Sequence, residues 1–136
     1  MDKLQVMICS PLEADLVERI RAVDPDRIDV SYESDLYPPL RYSCDHKGVQ
    51  TFKRSEQQAA RWRANLERAE VFLDCPIPKE MPGELVHLTR AKWIQFTSSG
   101  IGEFVKRSGM DQSDLLLTTA RGVHSGPLAE WTFMAL

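Results

Sequence analysis

The stretch Glu70-Val71-Phe72-Leu73-Asp74-Cys75 decides the fold of this 136-residue chain. It is an apolar run of strand length, and Pro76 and Pro78 stop it. Apolar runs without alternating polarity, here Val71-Phe72-Leu73 and Leu115-Leu116-Leu117, are typical of strands that are buried on both faces, as in a parallel sheet. The stretch therefore predicts a central strand with neighbours on either side.

Four further segments have the length and polarity of strands, and they lie at residues 4–9, 28–32, 93–97 and 115–119. A helical pattern follows the first of them. Ser10 and Glu13 have the spacing of a capping box, with Pro11 suited to the first helical position. The apolar face of that helix recurs at steps of four, four and three residues, at Leu12, Leu16, Ile20 and Val23.

A second capping box at residues 55–58 predicts a longer helix. Its buried stripe consists of Ala59, Trp62, Leu66 and Ala69. Shorter helices are expected within 79–90 and around 101–107, a last helix from Pro127, and a long loop over 34–54. Strands that alternate with helices imply right-handed βαβ units. The expected fold class is α/β, an open parallel five-stranded sheet with helices on both faces.

Composition and charge exclude several classes of protein. Lys and Arg number 17 and Asp and Glu number 20, so the net charge is 17 − 20 = −3, with both signs mixed along the chain. This argues against nucleic acid and anionic membranes as partners. No apolar run approaches the ~20 residues of a membrane span, and no signal peptide opens the chain. The cysteines, Cys9, Cys44 and Cys75, lack C-x-x-C spacing, which favours reduced thiols and a cytoplasmic location.

Ligands of an open α/β sheet bind beyond the carboxyl ends of its strands. The most informative of these ends is Thr97-Ser98-Ser99-Gly100-Ile101, where small residues stand directly before a helix. Backbone N–H groups of Ser99, Gly100 and Ile101 could bind an anion there. The spacing alone leaves open the alternative that Gly100 only permits a tight turn. The histidines, His46, His87 and His124, share no metal-ligand spacing, so no metal site is expected.

Asp74 ends the third predicted strand, where a two-component receiver domain has its phosphoacceptor. That chemistry also needs an acidic pair after the first strand to bind magnesium and a Lys after the fifth. This chain has Cys9-Ser10 and Ala120-Arg121 at those places. A receiver-like domain is therefore only a minor alternative.

Two segments resemble the D-isomer-specific 2-hydroxyacid dehydrogenases. Residues 92–101 are similar to the family's strand and glycine turn, and residues 117–130 are similar to its segment into the interdomain helix, with the pair Ala129-Glu130. Their order and separation also match the family. The likeness is weakest over 34–54, which looks like a subgroup insertion. It implies a flavodoxin-like substrate-binding domain at 1–120, which in the family packs against a Rossmann domain.

The resemblance also implies site residues. Amides of Ser99, Gly100 and Ile101 would bind the carboxylate of a 2-keto or 2-hydroxy acid, and Cys75 and Pro76 would wall the substrate pocket. A second set would lie near the cleft and the cofactor, NAD or NADP, and consists of His124, Ser125 and Leu128.

The sequence departs from the family in one large respect. The family's catalytic Arg, Glu and His follow its dinucleotide fingerprint, and these 136 residues contain neither that fingerprint nor a matching His. We therefore expect a chain truncated before the Rossmann domain, with no cofactor bound and no turnover. The apolar segment 121–136 would begin the hinge helix and mediate a homodimer. The alternative is a stand-alone flavodoxin-like binding or interaction module.

Overall fold

The computed structural model describes residues 2–77 and 81–136. Its strands are β1 (Leu4–Ile8), β2 (Ile28–Ser31), β3 (Val71–Leu73), β4 (Trp93–Phe96) and β5 (Leu116–Thr119). Its helices are α1 (Ala14–Arg21), α2 (Glu56–Arg68), α3 (Gly102–Ser108) and α4 (Ser125–Ala135). Short 3₁₀ turns are present at Ser34–Leu36, Gly83–His87 and Met110–Gln112.

All five strands are parallel and form one sheet in the order β2-β1-β3-β4-β5. This confirms the predicted α/β class, a flavodoxin-like open sheet. The chain runs from β1 outward to β2 and then returns to the other side of β1 with β3. The carboxyl ends of β1 and β3 therefore flank the topological switch point, where open sheets of this kind form their ligand crevice.

The register assigns alternate residues to two cores. One face of the sheet, with Phe72 and Ile94, packs against Trp62 and Leu66 of α2, and all four side chains are fully buried. The opposite face packs against α1 through Val17. Helices thus cover both faces, as predicted, and the stripe of α2 that contains Trp62 and Leu66 is confirmed as buried.

The predicted start of α1 is wrong. The helix begins at Ala14, and its N-cap residue, Glu13, has extended backbone and makes no side-chain cap. The Ser10 hydroxyl that should have capped it donates instead to Asp74, which is 64 residues away. The hydroxyl thus donates to a distant carboxylate instead of accepting a local backbone N–H, and the helix starts four residues after Ser10. The second predicted box is confirmed, since the Ser55 hydroxyl and the Gln58 side chain cap each other's backbone.

Two predictions of burial also fail. Val23 lies beyond the end of α1 and is 77% exposed, while Val17 is the buried residue of that helix. Leu116 in β5 is 58% exposed although its apolar run predicted burial on both faces. Among the described residues, the apolar cluster around α1 extends over β1, β2 and Leu73 of β3, so Trp93 and Leu116 on that same face stay open.

Smaller differences concern helix ends. The last helix begins at Ser125 rather than Pro127, and the helix expected within 79–90 is a 3₁₀ turn at Gly83–His87. The first residues of that range, 79 and 80, lie outside the described residues. The helix expected around 101–107 is α3, shifted by one residue.

The long loop over 34–54 is ordered by the carboxylate of Asp45, which is 3% exposed. Arg41 donates to it from Nε at 2.7 Å and from Nη2 at 2.8 Å, and the backbone amides of Arg41 and Lys47 add further hydrogen bonds. The Arg41 guanidinium holds the pKa of Asp45 well below its usual range. Gly48 has φ +61°, and a Cβ there would lie 2.7 Å from Pro38 Cβ. These contacts tie together the middle of the loop, from Pro38 to Gly48.

Candidate functional site

The carboxylate of Asp74 joins the carboxyl ends of three neighbouring strands. Asp74 follows β3, and its Oδ2 accepts a hydrogen bond from the Ser10 hydroxyl, after β1, at 2.8 Å. Its Oδ1 accepts the amide of Thr97, after β4, at 2.7 Å, and the Thr97 hydroxyl lies 2.9 Å from both oxygens. Asp74 has φ +59°, a left-handed conformation that Asp tolerates better than most residues. Both oxygens are thus engaged in holding the edge of the sheet.

The turn after β4 presents backbone donors beside this network. Among the described residues, the amides of Ser98, Ser99, Gly100 and Ile101 have no hydrogen-bond acceptor. Ser99 and Gly100 are exposed, whereas Ile101 packs partly against the larger core. The structure therefore brings the three predicted residues together at the carboxyl edge, with exposed donors of the kind that bind a carboxylate.

The fold itself does not require a glycine at position 100. Its φ is outside the left-handed region, and a Cβ built there meets no atom within 4 Å. This contrasts with Gly48, where both the positive φ and Pro38 exclude a side chain. The tight-turn alternative, in which Gly100 is needed only for backbone freedom, therefore has no support from φ or packing. A small residue there does keep the neighbouring amides open to a ligand.

Cys75 and Pro76, the predicted pocket wall, are both buried after β3. Burial, and to a smaller extent the charge of Asp74, raises the pKa of the Cys75 thiol to about 12. Burial is also the main cause that raises the pKa of Cys9, followed by Cys75 and Asp74. All three cysteines are free thiols. Cys9 and Cys75 are accordingly neutral, apolar groups at this edge and poor nucleophiles.

The predicted cofactor-side residues lie together at the start of α4. His124 is the N-cap residue, Ser125 is the first helical residue, and Leu128 donates its amide to the His124 carbonyl at 3.0 Å. All three are exposed. They form an exposed surface and not an enclosed pocket.

Sequence reasoning missed Arg54 and Tyr37, which also lie near the switch point. The buried Tyr37 hydroxyl donates to the Ile8 carbonyl at the end of β1. Arg54 donates from Nε to the Leu36 carbonyl at 2.8 Å and lies over the Trp62 ring, with its Cζ 3.8 Å from the ring centroid. Burial lowers the pKa of Arg54. The one signal in the sequence was that Arg54 directly precedes a capping box. The helix that begins there leads into β3, and such a helix must begin at the carboxyl edge of the sheet.

Two open surface cavities, of about 700 and 420 Å³, lie at the opposite, amino edge of the sheet. The larger is lined by both signs of charge, including Lys3, Arg68 and Glu70. Glu70 already accepts a hydrogen bond of 2.8 Å from Lys92 Nζ. These cavities do not coincide with the predicted site, and their mixed charge favours no single class of ligand.

Within residues 2–77 and 81–136, no three His, Cys, Asp or Glu side chains are grouped closely enough to bind a metal ion. None of the helices described has the length and apolar character needed to cross a bilayer. Comparison with protein-family models, curated proteins and solved structures gave no match.

Proposed function

We propose that this chain is the substrate-binding portion of an oxidoreductase that transfers hydride between NAD(P) and a 2-hydroxy or 2-keto acid. The observation that carries the proposal is the run of four amides from Ser98 to Ile101, at the carboxyl edge of the sheet, that have no acceptor among residues 2–77 and 81–136. Such amides bind a carboxylate without a charged side chain, because each N–H directs its dipole at the anion. The resemblance of residues 92–101 and 117–130 to the D-2-hydroxyacid dehydrogenases supports the same substrate class.

The role of each group in the proposal follows from its chemistry. The amides of Ser99, Gly100 and Ile101 orient the acid, and the neutral thiol of Cys75 and the ring of Pro76 supply an apolar wall. The nicotinamide cofactor supplies the hydride when it is bound. His124, Ser125 and Leu128 contact its edge, and a Rossmann partner domain holds the rest. The homodimer is proposed to form through 121–136, where no residue of α4 is buried.

A pyruvate titration followed by ¹⁵N NMR tests the substrate site. We expect chemical-shift changes at the amides of Ser98 to Ile101, and their loss in Gly100→Val, where the side chain covers the amides without disturbing the fold. The matched control is Gly126→Val, because a Cβ at Gly126 also meets open space. Shifts confined to the amino-edge cavity, or no shifts at all, would contradict the proposal.

A second measurement concerns turnover. These 136 residues contain no counterpart of the family's catalytic His, and so we expect no oxidation of NADH or NADPH with glyoxylate, pyruvate or hydroxypyruvate. Turnover above a protein-free blank would show that a group not identified here transfers the proton.

A further inference from the structure

Arg54 is a half-buried cation at the carboxyl edge of the sheet. It stands directly before Ser55, the N-cap residue of α2, and α2 then leads back to the amino end of β3. Its side chain is 22% exposed. The Leu36 carbonyl fixes Nε, and the Trp62 ring supports one face of the guanidinium. The side chain is therefore held in place before any ligand arrives.

The outer nitrogens of this guanidinium remain available. Nη1 lies 3.6 Å from Glu84 Oε1, which is an ion pair but not a hydrogen bond. Neither Nη1 nor Nη2 has a hydrogen-bond acceptor among residues 2–77 and 81–136. A guanidinium presents its N–H groups in a planar fork that matches the two oxygens of a carboxylate. A guanidinium that is fixed in this way, with its outer N–H groups available, can bind a carboxylate.

The surroundings place Arg54 toward the switch point. The Leu36 carbonyl that it binds precedes Tyr37, whose hydroxyl is bonded to the end of β1. The charges of Arg54 and Glu84 both influence the pKa of the Cys9 thiol, which follows β1 directly. The amide turn after β4 lies two strand spacings from β1, or about 10 Å. A ligand bound at the turn must be extended to approach Arg54.

We propose that Arg54 binds a second carboxylate of the substrate, so that the preferred class is 2-keto acids with an acidic group at each end. This carboxylate displaces Glu84, which forms the ion pair with Arg54 when no substrate is bound. The inference rests on the proposed function, in which the amides of Ser99, Gly100 and Ile101 bind the carboxylate next to the keto group. It adds the chemistry of the substrate's far end.

Calorimetric titration with 2-oxoglutarate and 2-oxopentanoate tests the proposal, because the two acids have the same chain length and differ in the terminal carboxylate. We expect the wild type to bind 2-oxoglutarate about tenfold more tightly, as one charge-assisted contact provides. Arg54→Gln should abolish this preference and leave the affinity for 2-oxopentanoate unchanged. Glu84→Gln should strengthen the preference, and Arg63→Gln, an exposed arginine on α2, should leave it as in the wild type.

The outcomes separate the two proposals. Equal binding of both acids by the wild type overturns the role of Arg54 and leaves the proposed function standing. An Arg54→Gln variant that loses both acids equally also overturns it, since Arg54 then acts on the single carboxylate or on the fold. If that variant does not fold, an unchanged preference in Glu84→Gln decides against the proposal. Binding of neither acid by the wild type overturns both proposals.

Discussion

Ser10 Oγ lies 2.8 Å from Asp74 Oδ2, and this hydrogen bond crosses the switch point between β1 and β3. The same carboxylate binds the amide and the hydroxyl of Thr97 after β4. One acidic side chain thus replaces a local helix cap, fixes a left-handed backbone residue and sets the spacing of three strand ends. The position that resembles a receiver's phosphoacceptor has a structural role in this chain.

Asp74→Ala should lower the free energy of unfolding by about 3 kcal/mol. The variant loses hydrogen bonds to a charged group, and Ala tolerates the left-handed conformation less well than Asp. Urea denaturation measures the loss. Asp111→Ala is the control, because that exposed side chain accepts a single hydrogen bond among the described residues, from its neighbour Gln112. Equal stability of the two variants would falsify the structural role of Asp74.

The Asp45–Arg41 pair should make stability depend on pH in the acid range. The folded-state pKa of Asp45 is depressed below its ordinary value of 3.8, so the unfolded chain takes up the proton first as the pH falls. The stabilisation is therefore complete above about pH 4 and is lost as the pH falls toward the depressed pKa.

Asp45→Asn should accordingly be less stable than the wild type at pH 6, and the difference should shrink at pH 3. Urea denaturation at the two pH values measures both differences. Asp114→Asn, an exposed control, should differ little from the wild type at either pH. If Asp45→Asn and the wild type differed by the same free energy of unfolding at both pH values, this would count against the depressed pKa of Asp45.

The three thiols should react at very different rates. Cys44 is exposed, whereas burial raises the pKa of Cys75 to about 12 and raises that of Cys9 as well. Ellman's reagent at pH 8 should give one fast equivalent, which Cys44→Ser removes, and two equivalents that appear only on unfolding. Two fast equivalents in the native protein would show that one of the edge thiols is accessible.

Gly48→Ala should destabilise the protein by about 2 kcal/mol, because a positive φ and a contact of 2.7 Å with Pro38 oppose the added methyl group. Gly126→Ala is the matched control, since its Cβ meets no neighbour and a helix favours Ala. Thermal unfolding compares the two. A Tm for Gly48→Ala at or above that of the control would mean that the loop relaxes freely around the methyl group.

The proposed homodimer predicts self-association through α4. Trp131 and Phe133 are 66% and 78% exposed, which leaves a large apolar surface in contact with water. Sedimentation velocity should therefore show a dimer that Trp131→Gln with Phe133→Gln converts to a monomer. Glu130→Gln, a polar change on the same helix, should leave the dimer intact. A monomeric wild type at micromolar concentration would remove this interface.

The strands could be predicted to within two residues because each is an apolar or alternating segment bounded by turn residues, which is a local property. The start of α1 could not be predicted in that way. The Ser10 hydroxyl could accept a local backbone N–H as a cap or donate to a distant carboxylate, and the carboxylate it binds is 64 residues away. The open position of Leu116 was also missed, because a strand's own residues do not show which helices will cover it.

The same distinction between local and long-range features applies to the candidate site. The carboxyl edge and the turn at Ser99-Gly100 could be predicted, because the alternation of strands and helices along the sequence implies the topology of the sheet. Arg54 could not be found, because its significance comes from the Leu36 carbonyl and the Trp62 ring, and the loop that contains it has no period. The long-range contacts of Asp74 were hidden for a related reason, since Thr97 looked like the last residue of a strand.

The hydrogen bonds of Asp74 to Ser10 and Thr97 have a consequence for affinity. Association with a flexible rim loses free energy to the ordering of backbone that the ligand must immobilise. Here three successive strand ends are already immobilised by one carboxylate. In the proposed function a small acid would meet a preorganised rim at this edge, and weakening the Asp74 contacts should accelerate its dissociation more than it slows its association.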